Sequence, residues 1–242
     1  MLPPVVDGPA ASRVHRRSTL TTLIVITGVL FVLHYATMYA WFILDDRSLF
    51  GFTPVLNVDE EVSLATFVQV LQLIAISLLL YVLGRAARRQ ASPDGAAWLS
   101  LAAIAFYLAA DESATLHETL TPLARRTVEL GGLRYLPWLL LAAALLLMFV
   151  RWHLPLLRRL DRRTRNGLLL AAALFGIGAV GLDVVSGEFV ESRSVLDLVV
   201  LAPIEEAMEV SGQLIALSAL LAYTARVQPV STIHILDGAE PS

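Results

Sequence analysis

The residues of this chain that could do chemistry gather in one stretch, Asp111-Glu112-Ser113-Ala114-Thr115-Leu116-His117-Glu118, which continues the apolar run from Ala97 to Ala110. Three carboxylates and a histidine do not belong in hydrocarbon unless something there needs them: each ionised carboxylate near a bilayer centre costs roughly 2.5–3.5 kcal/mol on an insertion scale. Two further acidic clusters follow, Asp183 with Glu188 and Glu205-Glu206-x-x-Glu209. Carboxylates spaced i, i+3 and i, i+4 together with an imidazole suit a divalent metal such as iron, manganese or zinc. The expected ligands are Asp111, His117, Glu118, Asp183, Glu205 and Glu209. His117, Glu112 and Glu206 are the expected acid–base or ligand-supporting groups. The Glu-x-x-His pair of bundle di-metal sites is not present, since Ala114 stands three residues before His117. Ser113 and His117, spaced i, i+4, also fit a nucleophile and its base, but that pairing is common by chance.

The elements that must position these groups are set by composition. A 57% hydrophobic, 16% charged chain of 242 residues points to a bilayer-embedded, all-α protein. Its lack of cysteine excludes disulfides, thiolate ligands and cysteine nucleophiles. All 18 basic residues are arginine, a bias typical of GC-rich bacterial coding.

Residues 1–18 read as a disordered basic tail, 19–226 as a membrane domain and 227–242 as a polar tail. Within the domain six apolar runs are each read as a spanning helix. They cover Leu20–Leu44, Val62–Gly84, Ala97 to about Thr119, Leu136–Val150, Gly167–Gly187 and Leu198–Ala225. Arginines concentrate before the first run, at Arg85, Arg88 and Arg89, and from Arg151 to Arg165, which makes those segments and both termini cytoplasmic. Trp41 and Trp138 then fall at outer ends, and Trp98 and Trp152 at inner ends, where indole favours the headgroup boundary. The arginine-rich segment reads as a lipid-facing anchor with Trp152, Leu156, Leu157 and Leu160 dipping into the interface, with no nucleic-acid role.

Depth turns scattered acids into a site. At 1.5 Å per residue, the acids of the third, fifth and sixth runs fall in the extracytoplasmic half, joined by His34 of the first run. An unbroken third helix would align Asp111, Thr115 and Glu118 on one stripe, and Glu205, Glu206, Glu209 and Gln213 would occupy one face of the sixth. Pro203 either begins that helix or kinks it and exposes carbonyls. If it begins there, Glu205 and Glu206 simply favour the helix dipole. His34, a lone histidine on an apolar helix, is expected to be a hydrogen-bonded packing residue more often than a ligand. Gly176, Gly178 and Gly181 permit close approach of the fifth helix to a partner. No arginine lies within a span, so the acids must be protonated, ligate cations or line a wet cavity, unless Arg125, Arg126, Arg134 or Arg193 folds down over them.

The motifs Asp-Glu-x4-His-Glu, Gly-Ala-x-Gly-x-Asp at Gly178 to Asp183, and Glu-Glu-x-x-Glu-x-x-Gly at Glu205 to Gly212 resemble those of an uncharacterised family of bacterial multi-pass membrane proteins. The resemblance implies a six-helix fold and no assigned mechanism. A likeness to intramembrane proteases with a Glu-Glu-x3-Arg motif fails at Val210. The expectation is a multi-pass protein of the bacterial inner membrane, in contact with its lipids and bearing a metal–carboxylate site that acts on a lipid or other membrane-soluble substrate. A proton- or cation-coupled transporter and an accessory subunit of a membrane complex are the alternatives.

Overall fold

The computed structural model describes residues 16–116, 135–182 and 194–227, and these are all-helical. The helices are α1 (Arg16–Ile43), the single-turn α2 (Thr53–Leu56), α3 (Leu64–Arg89), α4 (Gly95–Ala114), α5 (Tyr135–Arg159), α6 (Arg162–Gly176) and α7 (Ala202–Val227). A π-helical stretch, Ile177–Leu182, prolongs α6, and another, Asp197–Leu201, leads into α7. Among the described residues three helices are long and apolar enough to cross a membrane: Arg16–Ile43, Leu64–Arg89 and the joined Asp197–Val227. Their outward faces carry apolar side chains such as Val32, Leu71 and Leu78, the surface a helix presents to hydrocarbon.

α3 and α4 form an antiparallel hairpin, and α7 packs on α3 and α6. Ser63 caps α3 by accepting from the Thr66 amide at 3.1 Å. Asp161 caps α6, accepting from the amides of Arg163 and Thr164, and Arg226 donates to it at 2.7 Å. The Thr164 hydroxyl, those amides and the Arg226 charge hold the Asp161 carboxyl below the usual carboxylate range. At the same end Arg159 pairs with Asp94. The core at this end is apolar, built from residues including Leu80, Leu83, Trp98, Leu156, Leu160 and Leu220. Close approach of α6 to α7 depends on glycine: a Cβ on Gly212 would lie 2.8 Å from the Ala171 carbonyl oxygen, and one on Gly178 would lie 3.0 Å from the Glu209 Cγ. Gly176 and Gly181 meet no partner helix at that distance.

Several sequence readings are corrected. Arg16 and Arg17 belong to α1, and Arg16 donates to Ser218 of α7 at 2.7 Å. The arginine-rich segment from Arg151 to Arg165 is helical, forming the end of α5 and the start of α6. His153, Leu156 and Leu160 recur on one helical face and bury it against the core, while Trp152 alone stays exposed. His153 also meets the Ser100 hydroxyl at 2.9 Å. Trp98 is a core residue stacked obliquely near Tyr223, not a headgroup anchor. α4 ends at Ala114, with Thr115 in the left-handed region at φ 49° and its amide bonded to the Asp111 carbonyl. The stripe expected from Asp111 is therefore interrupted at Thr115, and Glu118 lies outside the described residues.

The helix of the sixth run neither begins nor breaks at Pro203. Ser194 accepts from the Asp197 amide at 3.2 Å and so caps a helix that starts well ahead of the proline. The Ala202 amide bonds back five residues to the Asp197 carbonyl. The next bond of that register would run from residue 203 to the Leu198 carbonyl, but proline has no N–H to give. His34 supplies the missing donor, its Nε2 lying 3.0 Å from the Leu198 oxygen. Its Nδ1 accepts from the Val58 amide at 3.3 Å, which fixes the neutral Nε2–H tautomer. Both ring nitrogens are thus engaged in packing, as the packing expectation for His34 holds, and the carbonyl released by Pro203 is spoken for.

Replacing His34 by leucine should therefore lower the thermal unfolding midpoint in detergent, by the equivalent of about 1–3 kcal/mol for a buried carbonyl left unpartnered. Pro203→Ala in that background should restore much of the loss, because the alanine amide can donate the bond that proline cannot. Additive effects of the two substitutions would contradict this account.

Candidate functional site

The site is built where α3, α4 and α7 meet. Gln69 and Gln72 are the polar residues at i, i+3 in the otherwise apolar middle of α3, and both are buried, at 1% and 2% exposure. Gln69 donates from Nε2 to Glu206 Oε2 at 2.5 Å. Gln213, also 2% exposed and two turns further along α7, donates from its own Nε2 to Gln69 Oε1 at 2.9 Å. A directed chain, Gln213 to Gln69 to Glu206, therefore crosses the α3–α7 contact and ends on a carboxylate.

α4 contributes at the same level. Ser77 of α3 donates to the Ala102 carbonyl of α4 at 2.8 Å, and about two turns outward from that tie Gln69 stands level with the Asp111–Glu112 turn. Glu206 accordingly lies within Coulombic range of Glu209 and Glu205 on its own helix and of Glu112 on α4. Glu209 is buried at 8% exposure, and Glu205, Glu206, Asp111 and Glu112 are partly buried. Since the helix starts near Ser194, Glu205 and Glu206 lie beyond its first turns, so the dipole explanation for them fails. Gly178 brings the end of α6 against Glu209, the approach expected of that glycine.

Of the expected site residues, the structure brings Glu112, Glu205, Glu206 and Glu209 together and sets Asp111 on the adjoining turn of α4. His117, Glu118 and Asp183 lie outside the described residues, as does Glu188. Among the described residues no group of three or more histidine, aspartate or glutamate side chains is arranged to hold a metal ion. The partner that sequence reasoning undervalued is Gln69. Its signal was present as two glutamines one turn apart in a span whose other polar side chains are hydroxyls, but their connection to Glu206 depends on how α3 meets α7.

The Gln69–Glu206 link can be tested by a double-mutant cycle. Gln69→Leu and Glu206→Leu should each destabilise the purified protein by about 1–3 kcal/mol, with a coupling of at least about 0.5 kcal/mol between them. Glu206→Gln should be better tolerated, since an amide oxygen can still accept from Gln69. Additive effects within error would contradict the link.

The family model described as Domain of unknown function (DUF8692) matches residues 18–224, and the chain belongs to that family. No curated protein and no solved structure matches it.

Proposed function

We propose that this member of the family is an integral membrane protein whose carboxylate layer binds a cation within the outer half of the bilayer and acts there on a lipid or other membrane-soluble substrate. The observation that carries the reading is the buried Gln213–Gln69–Glu206 chain, surrounded by the charges of Glu112, Glu205 and Glu209. The six apolar runs support six spans, the arginine placement supports cytoplasmic termini, and the all-arginine usage supports a bacterial inner membrane location. The packed apolar core on the inner side of the site supports access from one side only. That one-sidedness favours catalysis or binding over transport.

In this reading Glu205, Glu209, Asp111, His117, Glu118 and Asp183 are the candidate ligands of a divalent metal, iron, manganese or zinc. The oxygen donors already gathered fit such an ion in charge and type, though the described carboxylates do not by themselves enclose it. A bound ion would supply a Lewis acid and an activated water. Glu206 is held in place by Gln69 and has the position of a group that orients a ligand or takes a proton, with Glu112 facing it from α4. A proton-coupled transporter is the second reading, favoured by one observation: Gln72 and Gln213 extend polar character inward along α3 and α7.

Metal content of the detergent-purified protein, measured by inductively coupled plasma mass spectrometry, tests the proposal. Near-stoichiometric metal is expected, falling to background in Glu206→Gln/Glu209→Gln. A metal-free wild type after purification without chelator and with metal added back would count against it and leave protonated carboxylates as the better account.

A further inference from the structure

Two buried amides beside the carboxylates have atoms that the protein itself does not satisfy. Gln72 has neither its Nε2 nor its Oε1 hydrogen-bonded, and Gln213 leaves its Oε1 without a partner, although each residue is only 2% exposed. Unpartnered buried polar atoms are rare, because each forfeits its hydration without return. The direction of the glutamine chain explains which end is left over. Glu206 accepts from the NH2 group of Gln69, which turns the Gln69 oxygen to Gln213. Gln213 must then spend its NH2 group on Gln69, and its oxygen emerges as the open end. That oxygen belongs to the residue one turn inward of Glu209 on the same face of α7, and Gln72 is one turn inward of Gln69 on the facing helix.

Building on the cation reading above, we infer that Gln72 and Gln213 complete, with Glu206 and Glu209, an oxygen-only subsite for a hard divalent cation at the α3–α7 crossing. The described donors there are carboxylate and amide oxygens, the set preferred by manganese, magnesium and calcium over zinc. The two imidazoles described, His34 and His153, each have both nitrogens engaged. The Gln72 amide, free to rotate its oxygen toward an ion, needs no partner broken to do so.

The test uses the full-length protein in detergent and Mn2+ as the probe, followed by loss of the free-ion electron paramagnetic resonance signal. Wild type should bind Mn2+ stoichiometrically, and Gln72→Leu and Gln213→Leu should each weaken binding by about tenfold or more. Gln213→Glu, which keeps the oxygen, should retain it. Metal-free Gln72→Leu should unfold at a temperature equal to or above that of wild type, because leucine removes an unsatisfied amide without opening a cavity; this separates loss of a ligand from loss of the fold. Unchanged Mn2+ affinity in both leucine variants, with binding still lost in Glu206→Gln/Glu209→Gln, would overturn the subsite and leave the cation reading standing. No Mn2+ binding by wild type would overturn both.

Discussion

The hydrogen bond from Gln69 to Glu206 is the contact on which the arrangement of this protein depends. A carboxylate placed among apolar helices must be compensated locally, and here the first compensation is an amide on a neighbouring helix rather than a charge. Because the amide is bifunctional, satisfying Glu206 obliges Gln69 to find a donor in turn, and Gln213 provides it. One acid therefore fixes the rotation of α3 against α7 at two levels. The α3–α4 hairpin, tied by Ser77, carries Glu112 to the same layer.

A second constraint acts further out on α7. The helix carries Glu205, Glu206 and Glu209 just after passing Pro203, and proline there would leave a buried carbonyl unanswered. The π register shifts the orphan to Leu198, and His34 reaches it from α1 while its other nitrogen holds the Val58 amide. A single neutral imidazole thus ties α1, the outer connection and the entrance to α7. The end of the bundle around His34 and Leu198 is fixed by hydrogen bonds, and the opposite end by the apolar core.

Much of this was legible in the sequence, and what was not has a physical reason. Hydropathy located α1, α3 and the helix of the sixth run to within a few residues, because length and apolarity are properties of the segment alone. The grouping of Glu205, Glu206, Glu209 and Gln213 followed from helical periodicity. The termination of α4 at Thr115 did not, since a β-branched residue in the left-handed region is disfavoured by its own chemistry and is held there by its surroundings. Trp98, Leu156 and Leu160 were misplaced for a related reason: an aromatic or leucine near a span end satisfies an interface and a core equally well until the neighbouring helix is known. The orphan at Leu198 needed two distant facts, a missing N–H and an available histidine.

The central claim is a polar site open to the outer side and sealed toward the inner side. The cysteine-free chain allows a direct measurement, the labelling of Glu205→Cys by a membrane-impermeant thiol reagent applied from either side of the membrane, with Leu217→Cys in the inner core as the comparison. The account predicts that Glu205→Cys reacts from the extracytoplasmic side only and that Leu217→Cys reacts from neither. Labelling of Glu205→Cys from the cytoplasmic side, or its complete protection from both, would contradict it.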